Sequence, residues 1–422
     1  MTLSRREAIA GAIAVPVAAG TARAFAAPQP GRLLPDKASF VPSPIAYLDN
    51  AAAHPISRSA KKAIDGHLAM RMLDPAAPPP FDRAGVIAKF AALVHADPDE
   101  ITWTQSTTAG EQAVLRALGF PHKGGRVVVE TLHFHLSFPM YMEMAKQGVD
   151  VAWVKQREGR IELDDMAKAI TPGTRLVYLS LVSTYNGFHH DLKAICDMAH
   201  KVGSLVYADI IHAAGAIPVD LHGCGVDFAA TAAYKWLMGD SGLGFLYARR
   251  GVADRLERTE YGYYGFSNPG APAGIGLSVP ETHIYPLDPP GQFPVRYDVR
   301  GGAIGHFGSG SYAGIVAAQL NHSLDYIAGI GVPAIQAHAQ ALLAMLRPEL
   351  VKKGYKVITP ADTATPLLTF LLPDAKAVLA EPLAKAKVRV NMLHDHHVRV
   401  SPSVHNDAHD IERLIAALPR VS

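Results

Sequence analysis

The sequence predicts an α/β protein: a large domain built on a mostly parallel sheet, followed by a smaller C-terminal α+β domain. Three observations carry this reading. Short apolar, β-branched runs alternate with helix-like stretches through the middle of the chain, the rhythm of parallel strands joined by helices. The chain has 422 residues, more than one ordinary core accommodates. Of these, 49% are hydrophobic and only 18% charged, so apolar material for a deeply buried sheet is present.

The elements follow in chain order. Ser4-Arg5-Arg6-Glu7 precedes an uncharged, weakly apolar stretch over residues 8–22, and Ala24-Phe25-Ala26 then offers a small-residue cleavage site. The uncharged stretch is shorter than the ~18–20 residues that span a bilayer, so residues 1–26 read as a twin-arginine export signal and predict a periplasmic protein. Residues 27–60, with five prolines in the first half, read as an extended N-terminal arm. Buried strands are predicted at 126–130, 149–154, 175–180, 204–209, 228–232 and 245–249, with helices such as 136–147 and 192–202 between them. Residues 262–294 hold seven prolines, six glycines and several aromatics, and read as an ordered cover. The large domain is expected over 61–310 and the small one over 311–422.

Charge and cysteine content exclude several classes. The formal charge of +2 resides entirely in residues 1–26, and a neutral remainder lacks the basic surface that nucleic acid requires. Cys196 and Cys224 are 28 residues apart, so there is neither a disulfide framework nor a C-x-x-C pair.

The chemistry concentrates between Asp209 and Lys235. Asp209 ends an apolar strand, where a carboxylate is costly unless a positive group meets it. Lys235 follows another apolar run, and a buried lysine readily loses its charge and attacks carbonyls. A lysine that forms a Schiff base and a carboxylate that holds a pyridinium nitrogen are what pyridoxal 5′-phosphate (PLP) requires. Spacing alone leaves a structural salt bridge equally open.

Five ordered motifs resemble the class V aminotransferases, the PLP fold-type I group of cysteine desulfurases, kynureninases and isopenicillin-N epimerases. They are Tyr47-Leu48-Asp49-Asn50-Ala51-Ala52, Asp209-Ile210-Ile211-His212, Tyr234-Lys235 after Val226-Asp227-Phe228, the segment 242–249, and Val398-Arg399-Val400-Ser401-Pro402 with Asn406. The resemblance implies a fold-type I architecture, PLP as cofactor, a small amino acid or amine as substrate, and a homodimer with shared sites. Lys235 would carry the Schiff base and act on the substrate α-proton, and Asp209 would face the pyridine nitrogen. His212 would sit near the ring, His133 would stack on it, and Thr107 and Thr108 would cradle the phosphate at a helix N-terminus. Thr184, Asn186 and Tyr234 are placed with the cofactor by the same likeness, Ser309 with the neighbouring subunit's phosphate, and Asn50 and Arg399 with the substrate carboxylate.

The departures shape the functional expectation. Ala232 replaces a common phosphate-binding serine, and residues 390–397 contain no cysteine where desulfurases place a catalytic one. Cysteine desulfurase is therefore excluded at this stage. The expected reaction is transamination, with epimerisation or C–S/C–C lysis as the alternative. A non-catalytic exported binding protein of this fold is the rival from another class. The histidines at 394, 396 and 397 have no closed-site spacing and read as a polar turn beside the substrate pocket, not a metal centre.

Overall fold

The computed structural model describes residues 34–252, 255–268, 271–275 and 297–421. The proposed export signal and most of the predicted cover lie outside them. After the two-residue strand β1 (Ala46–Tyr47), seven strands form the central sheet: β2 (Ile101–Thr104), β3 (Arg126–Glu130), β4 (Asp150–Val154), β5 (Thr174–Ser180), β6 (Leu205–Asp209), β7 (Phe228–Ala232) and β8 (Gly244–Ala248). Their order is β2-β8-β7-β6-β5-β3-β4. β4, β3, β5, β6 and β7 run parallel, and β8 is antiparallel to both neighbours.

Helices α1 (Arg58–Leu73), α2 (Arg83–Leu93), α3 (Thr107–Ala117), α4 (Phe138–Lys146), α5 (Leu163–Ala169), α6 (Leu192–Lys201), α7 (Leu221–Cys224) and α8 (Gly302–Phe307) accompany the sheet. The pleat explains why the strands are apolar at nearly every position. Val127, Val129, Leu176, Tyr178, Leu205, Tyr207 and Phe228 point into one core, beneath α3, α4 and α8. Their immediate neighbours Val128, Val177, Leu179, Val206, Ala208 and Ala229 point into the other, beneath α2, α5 and α6. Both faces are covered, so alternation of polarity disappears. Three short strands, β9 (Phe266–Asn268), β10 (Ala271–Ile275) and β11 (Asp298–Val299), pair in the order β10-β9-β11 where the irregular cover was expected.

Helices α9 (Gly314–Ile330) and α10 (Val332–Lys352) lead into the small domain. Its antiparallel sheet has the order β12-β13-β16-β15, formed by β12 (Lys356–Val357), β13 (Leu368–Leu371), β15 (Asn391–Leu393) and β16 (His397–Val400). Strand β14 (Val388–Arg389) pairs with β1, and α11 (Ala375–Ala386) and α12 (Ala408–Ala417) complete the layer. Two expected boundaries move. Val316, Leu320, Leu324 and Ile327 of α9 join the large core, so the small domain begins with α10 rather than at residue 311. Ala46 and Leu48 join the small-domain core, so the arm belongs in part to the far end of the chain. Composition could not reveal either, because an apolar stripe does not state which partner buries it.

The rings of Phe90 (α2) and Phe245 (β8) stack with centroids 4.0 Å apart and planes 3° from parallel, both fully buried. Replacing Phe90 by Ala should cost about 3–5 kcal/mol, the range for a large aromatic removed from a core. Urea unfolding followed by far-ultraviolet circular dichroism checks this.

Candidate active site

β6 and β7 are parallel neighbours, with Asp209 opposite Ala230. The Asp209 carboxylate and the Lys235 amine therefore emerge at the same carboxyl edge of the sheet, where ligands of open α/β sheets bind. Two glycines allow the surrounding backbone to close in. A Cβ on Gly110 of α3 would lie 2.9 Å from the Cβ of Ala230, so only glycine lets the helix approach β7 this closely. Gly215 has φ +88°, and a Cβ there would lie 2.6 Å from the Trp236 carbonyl oxygen. The turn after Asp209 is thereby pressed onto the lysine segment.

The cavity is about 70 Å³ and is lined by Thr107, Thr108, Glu111, Phe134, Ser180, Asp209, His212 and Lys235, with Thr184, Tyr234 and Ala232 also on its wall. Ser106 caps α3 by accepting from the Ala109 N–H at 3.1 Å. The backbone N–H groups of Thr107 and Thr108 are left at a helix N-terminus, which favours an anion. The buried hydroxyl of Thr107 has no hydrogen-bond partner.

Lys235 Nζ lies 3.2 Å from His212 Nε2. Burial pulls the amine down to about 7, Arg399 adds to the effect, and Asp209 and Asp49 oppose it. His212 Nδ1 is 3.4 Å from Trp236 Nε1. An indole nitrogen can only donate, so Nδ1 is the bare nitrogen and Nε2 carries the ring proton. Burial first, then the positive charges of Lys235 and Arg399, hold His212 neutral. Its Nε2–H therefore donates to a neutral amine. Asp209 is pushed upward by burial, and His133 leads the groups that oppose this, ahead of the Ile211 N–H and Lys235. The Ile211 N–H donates to Asp209 Oδ1 at 2.9 Å.

Other expected residues fall in varied places. His133 is fully buried and bonds to Ser180 Oγ (2.9 Å) and Glu111 (3.3 Å) instead of standing on the cavity wall. Phe134 is the wall residue from this segment, because the tight turn after β3 folds His133 inward. Asn186 lies outside the cavity, donating to the Gly159 carbonyl at 2.6 Å and accepting from the Phe188 N–H at 3.1 Å. Ser309 lines a separate pocket with Trp103, Arg116 and Tyr312. Asn50 donates to the Ser401 carbonyl (2.8 Å) and to Asn406 Oδ1 (3.2 Å), joining the arm to the small domain.

Arg399 is buried on β16. Its Nη1 donates to the hydroxyl (2.7 Å) and carbonyl (3.1 Å) of Thr184, Nη2 lies 3.5 Å from Asp49 Oδ1, and Nε has no partner. Thr184 thus orients the arginine as well as lining the cavity. The sequence reading missed Asp49 as a partner of Arg399, although it stands within a quoted motif. It also missed Glu111, which nothing on the surface of the helix pattern distinguishes. His394 opens the three-residue turn between β15 and β16 with φ +51°, and its ring centroid lies 5.0 Å from that of His135.

An orphaned hydroxyl at a helix N-terminus, a neutral buried lysine and a buried carboxylate on one cavity fit PLP. Together they define a fold-type I PLP site. The class V aminotransferase family model matches residues 84–414, and the chain belongs to that family, with PLP as its cofactor. A probable cysteine desulfurase of Methanothermobacter thermautotrophicus is 32% identical over 255 residues, spanning 60% of this chain and 58% of that protein. The Escherichia coli cysteine desulfurase CsdA superposes with TM-score 0.75 at 18% identity, over 92% of this chain and 98% of its own. The cystine C–S lyase C-DES, in complex with its reaction product cysteine persulfide, gives TM-score 0.73 at 18% identity, over 88% and 96%.

These likenesses correct the exclusion of cysteine desulfurases drawn from the sequence. That exclusion rested on one missing thiol in residues 390–397.

The depressed Lys235 amine yields a pH prediction. A folded-state value near 7 leaves the amine neutral above that pH. Reductive methylation of Lys235 in cofactor-free protein should rise about tenfold per pH unit below 7 and level off above it, while exposed lysines keep rising toward 10. Mass spectrometry of the labelled peptide reads this.

Proposed function

We propose that the protein cleaves the C–S bond of a small sulfur-containing α-amino acid. Two features support this: a buried Arg399 with an unpaired Nε that shares the electrostatic field of Lys235, and similarity to a probable cysteine desulfurase and to the folds of CsdA and C-DES. The observation that carries the reading is the first, because it sets a carboxylate receptor close enough to act on the charge of the base.

The residues divide the work. Arg399, steadied by Thr184 and Asp49, receives the substrate carboxylate. Lys235, neutral near pH 7, takes the proton from Cα and returns it. His212, fixed as its Nε2–H form, donates toward the lysine nitrogen and orients the amine. Asp209 holds the pyridine nitrogen protonated, and Thr107 and Thr108 receive the phosphate. When bound, the cofactor supplies the electron sink that weakens bonds at the α-carbon. The lone pair left at Cα can then expel sulfur from Cβ. A homodimer in which Ser309 serves the partner's phosphate, exported by residues 1–26, completes the proposal.

Purified holoenzyme is given cysteine or cystine with no keto acid. Release of sulfide or persulfide, with pyruvate or alanine as the carbon product, supports the reading. Stoichiometric conversion of the cofactor to its amine form without sulfur release overturns it in favour of transamination. Arg399→Lys should lower kcat/KM about 10²-fold, mostly through KM, because an ammonium cannot reproduce the bidentate fork.

A further inference from the structure

Along the wall of the cofactor cavity lies a buried charged network of which the reaction scheme above uses only Asp209. Glu111 of α3, His133 after β3 and Asp209 at the end of β6 are all nearly or wholly buried. His133 Nε2 is 3.3 Å from Glu111 Oε1 and Nδ1 is 2.9 Å from Ser180 Oγ. Ser180 stands directly opposite Asp209 in the β5–β6 register, so the His133 ring faces the aspartate across one side chain. Glu111 is itself held by the hydroxyls of Ser137 (2.7 Å) and Tyr141. Such groups persist in a core only when each is satisfied and the charges compensate.

The charges around His133 come from every adjoining element. Glu111 reaches it from α3, Glu130 from the end of β3 and Asp209 from β6, while Tyr141 (α4) and Tyr178 (β5) supply rings at 6.4 and 6.0 Å. Nε2 faces the Glu111 carboxylate, which only accepts, and Nδ1 faces the Ser180 hydroxyl, which accepts as readily as it donates, so the surroundings accommodate a doubly protonated imidazole. Burial disfavours that cation, but the hydrogen bond and charge of Glu111, then Glu130 and Asp209, outweigh it, and the net direction is upward.

We propose that Glu111 and His133 are positioning residues for Asp209: Glu111 holds His133 as an imidazolium, and that cation keeps Asp209 ionised so that it can hold the cofactor's pyridine nitrogen protonated. A buried carboxylate without a cation nearby drifts toward its neutral acid, which cannot serve a pyridinium. Glu111 and Ser180, the two groups that hold His133, line the cavity wall, so the cation belongs to the protein itself and is present before substrate arrives. The proposal rests on the PLP assignment and not on which bond the enzyme cleaves.

Nitrogen-15 NMR of histidine-labelled holoenzyme at pH 7.5 tests it without any substrate. Both nitrogens of His133 should be protonated in the wild type and only one in Glu111→Gln, an isosteric change that keeps the Ser137 and Tyr141 contacts possible. With ring-labelled PLP, the pyridine nitrogen signal should move toward its unprotonated position in Glu111→Gln. kcat should fall about tenfold or more with KM little changed, the loss of roughly one pK unit of pyridine protonation. A neutral His133 in the wild-type holoenzyme overturns the proposal, and this measurement needs no variant to fold. A Glu111→Gln enzyme that loses the His133 proton while its pyridine nitrogen stays protonated overturns the link to Asp209. Absence of sulfur chemistry would remove the C–S reading and leave these signals untouched.

Discussion

Everything at the site depends on one electrostatic requirement. A lysine must be neutral and an aspartate ionised, side by side, in a cavity where water is scarce. In a low-dielectric interior both prefer their uncharged forms, and a proton passed between them would leave two charges. The sheet supplies the geometry by ending β6 and β7, adjacent and parallel, at the same edge. The surroundings then separate the two groups electrically. Arg399 lies on the lysine side and His133 on the aspartate side. This is why the small domain, through Arg399, matters to a cavity whose walls come from the large one.

The site is consequently assembled from distant parts of the chain. Arg399 comes from β16, Thr184 from the loop after β5 and Asp49 from the arm, and they meet in one cluster. Asn50 and Ser401 bind the arm to the small domain from the other side, and Ala46 and Leu48 bury themselves in its core. The N-terminal arm is thus a structural strut for the carboxylate receptor. Loosening of the small domain would release Arg399 and change the environment of Lys235 together, so substrate binding and base strength are coupled through packing.

How legible this was in the sequence follows from what each signal encodes. Strands were readable because burial on both faces leaves uninterrupted apolar runs, and the 126–130 and 228–232 segments appear with their expected ends. β2 escaped because Ile-Thr-Trp-Thr is too short and half polar to stand out. Asp209 and Lys235 stood out as charged groups after apolar runs, the resemblance to class V aminotransferases added His212 and Thr107, and the four line one cavity. His133 was named but misplaced, because a one-residue choice between His133 and Phe134 decides which side chain meets the cavity. Asn186 was assigned to the cofactor although its amide is consumed by backbone carbonyls, a use that leaves no mark on a sequence. The exclusion of cysteine desulfurase failed for a different reason. It inferred a reaction from a single absent side chain, whereas the chemistry at Cα depends on groups that are present.

The balance around Lys235 explains how one arginine can serve both binding and catalysis. Without substrate, the Arg399 cation is only partly matched: Asp49 lies 3.5 Å away and is itself pushed toward its neutral acid by burial, an effect Arg399 opposes. The unmatched share helps to keep Lys235 neutral and ready to act. An arriving carboxylate meets the unpaired Nε and cancels more of that charge. Cancelling it relieves the depression of the amine, so the lysine becomes a stronger base once a substrate carboxylate is in place. An amine lacking the carboxylate gains neither the anchoring nor the increase in basicity. In the proposed reaction, the pairing that orients the substrate would also adjust the group that acts on it, so that discrimination in favour of α-amino acids would be built into the proton transfer as well as into binding.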